Sequence, residues 1–92
     1  MNVTVRIPAS LRKFAAGQDA VAVEGKDVRE VLEHLDKNHP GIKAKLCDDS
    51  GNVRRFINIY ADSEDIRFLD NLNTAVQSGS EVEIIPAIAG GM

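Results

Sequence analysis

Apolar and polar residues alternate in four short stretches of the chain, and this period of two predicts four β-strands, each with one buried face. Pro8 and Gly25 follow the first two stretches and are expected to end them. The residues expected to face inward are Val3, Val5 and Ile7, then Val21 and Val23, then Ile57, Ile59 and Ala61, and finally Val82 and Ile84.

Between the second and third strands, apolar residues recur every three or four positions, which predicts an amphipathic helix. Its apolar stripe comprises Val28, Val31, Leu32 and Leu35. Asp27 and Glu30 have the spacing of a capping box at the N-terminus, and Pro40-Gly41 is expected to stop the helix. The order strand, strand, helix, strand, strand predicts an α+β domain with one sheet and one main helix across it. Periodicity does not determine the strand order.

Three further segments carry apolar residues without a strong pattern. Leu11 and Phe14 are expected to fold back as a lid over one end of the core, and Ile42 and Leu46 indicate a short second turn of helix. The segment between the third and fourth strands is expected to be irregular, with one short strand or helical turn. Its expected apolar anchors are Ile66, Phe68, Leu69 and Leu72.

Composition limits the classes of function. A chain of 92 residues has room for one small domain, and 43% hydrophobic residues suffice for one core. The net charge of -3 argues against binding to nucleic acid or anionic lipid. A single cysteine, no secretory signal and no apolar run near the ~20 residues of a membrane span predict a cytoplasmic protein without membrane association.

Candidate catalytic side chains within the domain are few: Cys47, His34 and His39, and the carboxylates Asp62, Glu64 and Asp65. No basic residue adjoins Cys47 in sequence to lower its pKa, so a passive thiol is expected. The two histidines are five positions apart, which places them on different helical faces and predicts solvated side chains rather than metal ligands. The carboxylates are expected to cap turns or to be solvated. The domain is therefore not expected to be catalytic, and no metal site is predicted.

The last predicted strand leads into an uncharged tail, Pro86-Ala87-Ile88-Ala89-Gly90-Gly91-Met92. We therefore divide the chain into a domain at residues 1–86 and a flexible tail at residues 87–92. A glycine pair at a chain end can enter a channel too narrow for other residues, and Ile88 could anchor the tail in a partner's groove. The alternative, a disordered end with glycines by chance, stays open on these grounds alone.

Several stretches resemble one family over nearly the whole chain. They are Met1-Asn2-Val3-Thr4-Val5 with Ile7-Pro8 and Leu11-Arg12, Arg55-Phe56-Ile57-Asn58-Ile59-Tyr60, Glu64-Asp65-Ile66-Arg67-Phe68, Leu72, Thr74-Ala75, and Ile85-Pro86-Ala87-Ile88-Ala89-Gly90-Gly91. In these stretches the chain resembles the ubiquitin-like sulfur carriers of the MoaD/ThiS type, most closely their cysteine-biosynthesis branch. The resemblance implies a ubiquitin-like β-grasp fold, with one mixed sheet, one main helix across it and a flexible C-terminal tail.

The resemblance also implies a chemistry at Gly91. In this family an activating enzyme uses ATP and magnesium to adenylate the terminal glycine carboxylate, and sulfide or a persulfide then displaces AMP to leave a thiocarboxylate. The tail residues entering partner active sites would be Ala87, Ile88, Ala89 and Gly90. In the cysteine branch a pyridoxal-phosphate enzyme transfers the sulfur to an activated serine, and a metallopeptidase releases the cysteine. The carrier would be a co-substrate without a bound cofactor of its own.

Met92 departs from the family pattern, because it places the Gly91 carboxyl group in an amide. Some family members carry such extra residues, and we expect a metallopeptidase to remove Met92 before activation. Two alternatives stay open: the small subunit of molybdopterin synthase, which gives its sulfur to a pterin, and a modifier that is joined to lysines.

For any of these functions, the outer sheet face should contact partners. Arg55, Tyr60 and Arg67 are candidates for this docking surface, with ordinary solvated surface as the alternative.

Overall fold

The computed structural model describes residues 2–86, which form one mixed β-sheet packed against helices. Its elements are β1 (Asn2–Arg6), a 3₁₀ helix (Ala9–Ala15), β2 (Ala20–Glu24), α1 (Val28–Asn38), α2 (Ile42–Leu46), β3 (Ile57–Ala61), β4 (Glu64–Asp65), two 3₁₀ turns (Ile66–Phe68 and Asn71–Asn73) and β5 (Glu81–Pro86). The four predicted strands and the main helix are confirmed. The predicted tail at residues 87–92 lies outside the described residues.

The sheet has the strand order β2-β1-β5-β3-β4. β1 and β2 form an antiparallel pair, and β5 then lies between β1 and β3, parallel to the first and antiparallel to the second. The last strand in sequence is therefore the central strand of the sheet. This mixed sheet with a helix across it is the β-grasp arrangement that the resemblance implied.

The core lies between the sheet and α1. Every residue expected to face inward from the strands is buried or partly buried, and the four residues of the α1 stripe are at most 1% exposed. Burial of one such aliphatic side chain contributes about 1.5–3 kcal/mol. Alternation along the strands and the stripe along α1 therefore supply one continuous core.

α1 begins at a modified capping box. The Glu30 amide donates to Asp27 Oδ1 at 2.8 Å, as expected, but the Glu30 carboxylate accepts from the amide of Lys26 at 3.0 Å, one residue before the cap. Gly25 precedes this turn, and a Cβ there would lie 2.6 Å from Val31 Cγ2. The chain therefore needs a residue without a side chain where it passes under α1. None of the helices in residues 2–86 has both the length and the apolar character to cross a bilayer.

The less regular segments are only partly as predicted. Leu11 is buried and Phe14 packs partly buried against the core, which confirms the lid, and both Ile42 and Leu46 of α2 are buried.

The segment after β4 contains two short 3₁₀ turns, in which Ile66 and Leu72 are buried. Phe68 and Leu69 are exposed, so the prediction that they anchor the segment was wrong. A three-residue turn presents only one position to the core, and here Ile66 occupies it.

Candidate functional site

The candidate site is the end of β5, from which the chain continues into the tail. β5 is paired on both sides: Val82 lies opposite Val5 of β1 and Ala61 of β3, and Pro86 lies opposite Ile57. A strand held by two neighbours gives the chain a fixed direction and a fixed point of departure. The tail residues Ala87, Ile88, Ala89, Gly90, Gly91 and Met92 lie outside the described residues, and their predicted roles stay predictions.

Asp62 fixes the beginning of β5. Its Oδ1 accepts from the Glu81 amide and its Oδ2 accepts from the Ser80 hydroxyl, both at 2.9 Å, while the Asp62 amide donates to the Glu81 carbonyl at 2.8 Å. Asp62 has a positive φ of 49°, a conformation that Asp tolerates better than most residues. This carboxylate therefore connects the β3–β4 turn to the central strand.

Asp65 caps the first 3₁₀ turn and pairs with Arg67. Its Oδ1 accepts from the Arg67 amide at 2.9 Å, and its Oδ2 accepts from an Arg67 terminal nitrogen at 2.7 Å. The hydrogen bond from the Arg67 side chain, and after it the bond from the Arg67 amide, lower the pKa of Asp65. Asp65 is thus a capping carboxylate that is ionised at neutral pH, not a proton donor. Asp62 likewise has a structural role.

Two exposed apolar residues adjoin the end of β5. Ile85, 38% exposed, directly precedes Pro86, and Phe56, 64% exposed, directly precedes Ile57, the partner of Pro86. We call Phe56 and Ile85 the exit patch. Ile85 pairs with Asn58, two residues after Phe56, so both residues lie at the same end of the β3–β5 pair, and exposed apolar residues at one place on a surface are typical of sites that bind other proteins. The sequence alone could not place this patch, since both residues occur within strand-like runs.

The three predicted docking residues do not occupy one face. Tyr60 lies on β3 opposite Glu83 and is half-buried, on the sheet face away from the core. Arg55 is exposed, with its guanidinium carbon 6.0 Å from the centroid of the Phe56 ring. Arg55 and the exposed Arg67 both line a groove beside β3, whereas Tyr60 does not. Sequence reasoning selected these two arginines but missed the groove that joins them.

The remaining candidate side chains serve the fold. Cys47 is buried, and this burial raises the pKa of its thiol, so the predicted passive thiol is supported. His34 is half-buried and its Nδ1 lies 2.6 Å from the Glu24 carbonyl oxygen, which ties α1 to β2. His34 is therefore a partly exposed surface side chain, as predicted, that also has one contact to the backbone. Within residues 2–86 there is no group of three or more His, Cys, Asp or Glu side chains that could hold a metal ion.

Comparisons with known proteins agree with this architecture. The sequence profile of the ThiS family matches residues 5–91. The sulfur carrier protein CysO of Mycobacterium tuberculosis is 45% identical over 93 residues, covering 99% of this chain and 100% of CysO.

Solved structures give the same result. The crystal structure of Mycobacterium tuberculosis CysO has a TM-score of 0.90 at 43% identity and covers 95% of this chain and 100% of that one. A chain of the Amycolatopsis orientalis BexX/CysO complex has a TM-score of 0.91 at 40% identity, covering 97% and 99%. Both the sequence profile and a relative of nearly equal length match almost the entire chain, so this protein belongs to the ThiS family of small ubiquitin-like β-grasp proteins.

Proposed function

We propose that this protein is a sulfur carrier whose Gly91, after removal of Met92, is converted to a thiocarboxylate that donates sulfur in the biosynthesis of cysteine or a related metabolite. The observation that carries the proposal is the 45% identity to the sulfur carrier CysO over 99% of the chain. The family match extends to residue 91 and so includes the Gly90-Gly91 pair. The protein would act as a co-substrate of partner enzymes rather than as an enzyme.

The proposed chemistry has two steps at the Gly91 carboxyl group. The carboxylate attacks the α-phosphorus of ATP in an activating enzyme, forming an acyl-adenylate and releasing pyrophosphate. Hydrosulfide then adds to the carbonyl, AMP leaves and one proton is released, so that a C–S bond replaces the C–O bond to phosphate. Glycine suits both steps, because it has no side chain to crowd the attack or to fill a narrow channel.

Met92 must be removed before these steps, because an amide carbonyl offers no carboxylate to adenylate. We propose that a metallopeptidase hydrolyses the Gly91–Met92 bond. The processed chain would then end at the glycine that the activating enzyme requires.

The geometry of β5 supports delivery of this tail into partner active sites. Pro86 is fixed to β3 through its pairing with Ile57, and the exit patch lies immediately beside it. A partner that packs on Phe56 and Ile85 would therefore receive the tail at a defined position. That the CysO of Amycolatopsis orientalis was solved in a complex with BexX supports binding of this chain by partner proteins.

Intact mass spectrometry tests the proposal directly. The purified chain is incubated with an extract of its host, ATP, magnesium and sulfide, beside a chain that already ends at Gly91. We expect the full chain to lose Met92 and both chains then to exchange one terminal oxygen for sulfur. A full chain that keeps Met92 while the shortened control gains sulfur would contradict the processing step, and no sulfur in either chain would contradict the carrier function.

The acceptor is tested separately with the thiocarboxylated chain. We expect a pyridoxal-phosphate enzyme and an activated serine to yield a chain extended by one cysteine. Transfer of the sulfur to a pterin by a molybdopterin synthase large subunit would instead establish the alternative function.

A further inference from the structure

A groove of about 480 Å³ lies beside β3, on the side of the strand where β4 pairs. The first turn of α1, the loop before β3 and the 3₁₀ turns after β4 surround it. We call it the basic groove, and the residues that characterise it are Arg29, Arg54, Arg55, Arg67, Ile57 and Leu72.

The charge of this groove is opposite to that of the whole chain. Four arginines and no carboxylate line it, in a protein whose net charge is -3. Arg67 is paired with the adjacent Asp65. Within residues 2–86, no carboxylate oxygen lies within 4.0 Å of the side-chain nitrogens of Arg29, Arg54 or Arg55. The groove therefore offers cationic groups for an anionic ligand.

Two of these guanidinium groups, those of Arg29 and Arg54, are already held by hydrogen bonds. Arg54 Nε donates to the Ala44 carbonyl oxygen at 3.1 Å, and an Arg29 terminal nitrogen donates to Asn73 Oδ1 at 3.4 Å. A guanidinium has five N–H donors, so these contacts leave several free for a ligand. Side chains that are ordered before binding lose less conformational entropy when the ligand arrives.

The groove is also partly apolar, which distinguishes it from a simple anion site. Val53 and Ile57 are partly exposed at its surface, and Ile59, Ile66 and Leu72 lie behind them. An inorganic anion would make no use of this aliphatic surface. A ligand with both carboxylates and aliphatic side chains would contact all of it.

The backbone of β3 favours an extended peptide as that ligand. β4 pairs only with Tyr60 and Ala61, so among the described residues no strand flanks Ile57–Ile59 on that side. The Ile57 amide donates to the Arg54 carbonyl at 3.0 Å and is not available. The part of the β3 edge that remains for further main-chain hydrogen bonds is therefore short. Extended peptides commonly bind by adding to such an exposed sheet edge.

We propose that the basic groove docks an extended acidic segment of a partner protein, with an aliphatic side chain between Asp or Glu residues. The carboxylates contact the guanidinium groups of Arg54 and Arg55, and the aliphatic side chain packs on Ile57. Because Ile57 is also the partner of Pro86, the bound segment lies across β3 from the end of β5. The inference does not depend on sulfur chemistry, since binding can be measured with Met92 in place.

The test is a ¹⁵N NMR titration of the full chain with the N-acetylated peptide Glu-Glu-Ile-Leu-Asp-Glu as probe. We expect fast-exchange shifts confined to residues 52–59 and 66–73 and the first turn of α1. A peptide with Gln and Asn in place of its acids, and one with Ser in place of Ile and Leu, should each bind about tenfold more weakly, because each loses one of the two kinds of contact.

Variants of the protein locate the site. The double variant Arg54→Gln/Arg55→Gln should weaken binding of the acidic peptide roughly tenfold, and the single variant Arg55→Gln, which removes no backbone contact, should weaken it severalfold. Arg12→Gln is the matched control, since Arg12 also donates its Nε to a backbone carbonyl, that of Ile7 at 3.2 Å, but lies outside the groove. The Arg12→Gln variant should bind the acidic peptide with unchanged affinity.

The proposal would be overturned by no shifts at millimolar peptide, by shifts centred elsewhere, or by equal affinity for the acidic and the neutral peptide. The proposal would also be overturned if tripolyphosphate and the Ser-containing peptide each bound as tightly as the acidic peptide. The groove would then be an anion site with no preference for a peptide. Retained dispersion in the spectrum of each variant establishes that it is folded.

Discussion

Single polar side chains hold the loops of this protein to its sheet. Asp62 joins the β3–β4 turn to β5, Asp65 caps the following 3₁₀ turn, and His34 ties α1 to β2. None of these roles requires a catalytic pKa. The polar groups that sequence inspection would test first for catalysis thus serve the structure.

Because Asp65 is charged, the free energy of unfolding should depend on pH in the acid range. Its pKa is lowered in the folded state, so its contribution is complete above the ordinary aspartate value near 3.9 and is lost as the pH falls through the lower folded value. Asp65→Asn keeps an acceptor for the Arg67 amide but removes the charge. We expect it to cost about 1 kcal/mol at pH 7 and progressively less below about pH 4.

Urea unfolding of the parent and of Asp65→Asn, at pH 7 and again below about pH 4, measures this difference in the free energy of unfolding. Asp49→Asn in the exposed loop is the control and should differ little from the parent at either pH. A cost at Asp65 that stayed constant down to pH 2 would show that its charge is unimportant.

At the scale of the elements, local pattern predicted what a segment forms but not where it lies. The alternation of Val82 and Ile84 identifies β5, yet nothing in it shows that this strand inserts between β1 and β3, because neighbours in a sheet are chosen by pairing distant segments. The apolar residues after β4 have no period, so Phe68 could not be recognised as exposed. The basic groove was equally hidden, since Arg29 and Arg67 are far apart in sequence and line the same groove only in the folded chain.

The cap of α1 was recognisable in sequence, and its contribution can be measured. Asp27→Ala removes the carboxylate that accepts from the Glu30 amide, which leaves that donor without its partner at the start of the helix. We expect a loss of about 1 kcal/mol in the free energy of unfolding. Thermal and urea unfolding followed by circular dichroism provide the measurement.

Asp27→Asn serves as the matched variant, because asparagine is an equally good cap and should recover most of the stability. If Ala and Asn at this position had equal effects, the hydrogen bond to Glu30 would not be the cause.

At the scale of the whole molecule, the residues that stabilise the fold are separate from those available to partners. The core residues of the sheet are nearly inaccessible, whereas the two residues of the exit patch and the arginines of the basic groove are exposed. A substitution in the exit patch should therefore alter partner binding without unfolding the domain.

Phe56→Ser tests this separation. Because Phe56 is 64% exposed, we expect its replacement to change the free energy of unfolding by no more than about 0.5 kcal/mol. Under the proposed function, thiocarboxylation by the activating enzyme should slow severalfold, through weaker binding of the carrier. Unfolding and the mass-spectrometric rate are measured on the same preparation, and a slower rate that simply followed a loss of stability would contradict a docking role.

The parallel pairing of β1 with β5 has a practical consequence for immobilising the protein. The Asn2 carbonyl accepts from the Gly79 amide at 2.9 Å, so β1 begins beside the start of β5. β5 then runs six residues, about 20 Å at ~3.3 Å each, to Pro86 at the opposite end. An affinity handle or biosensor linkage placed before Asn2 would therefore point away from Pro86 and leave that end of the sheet facing solution.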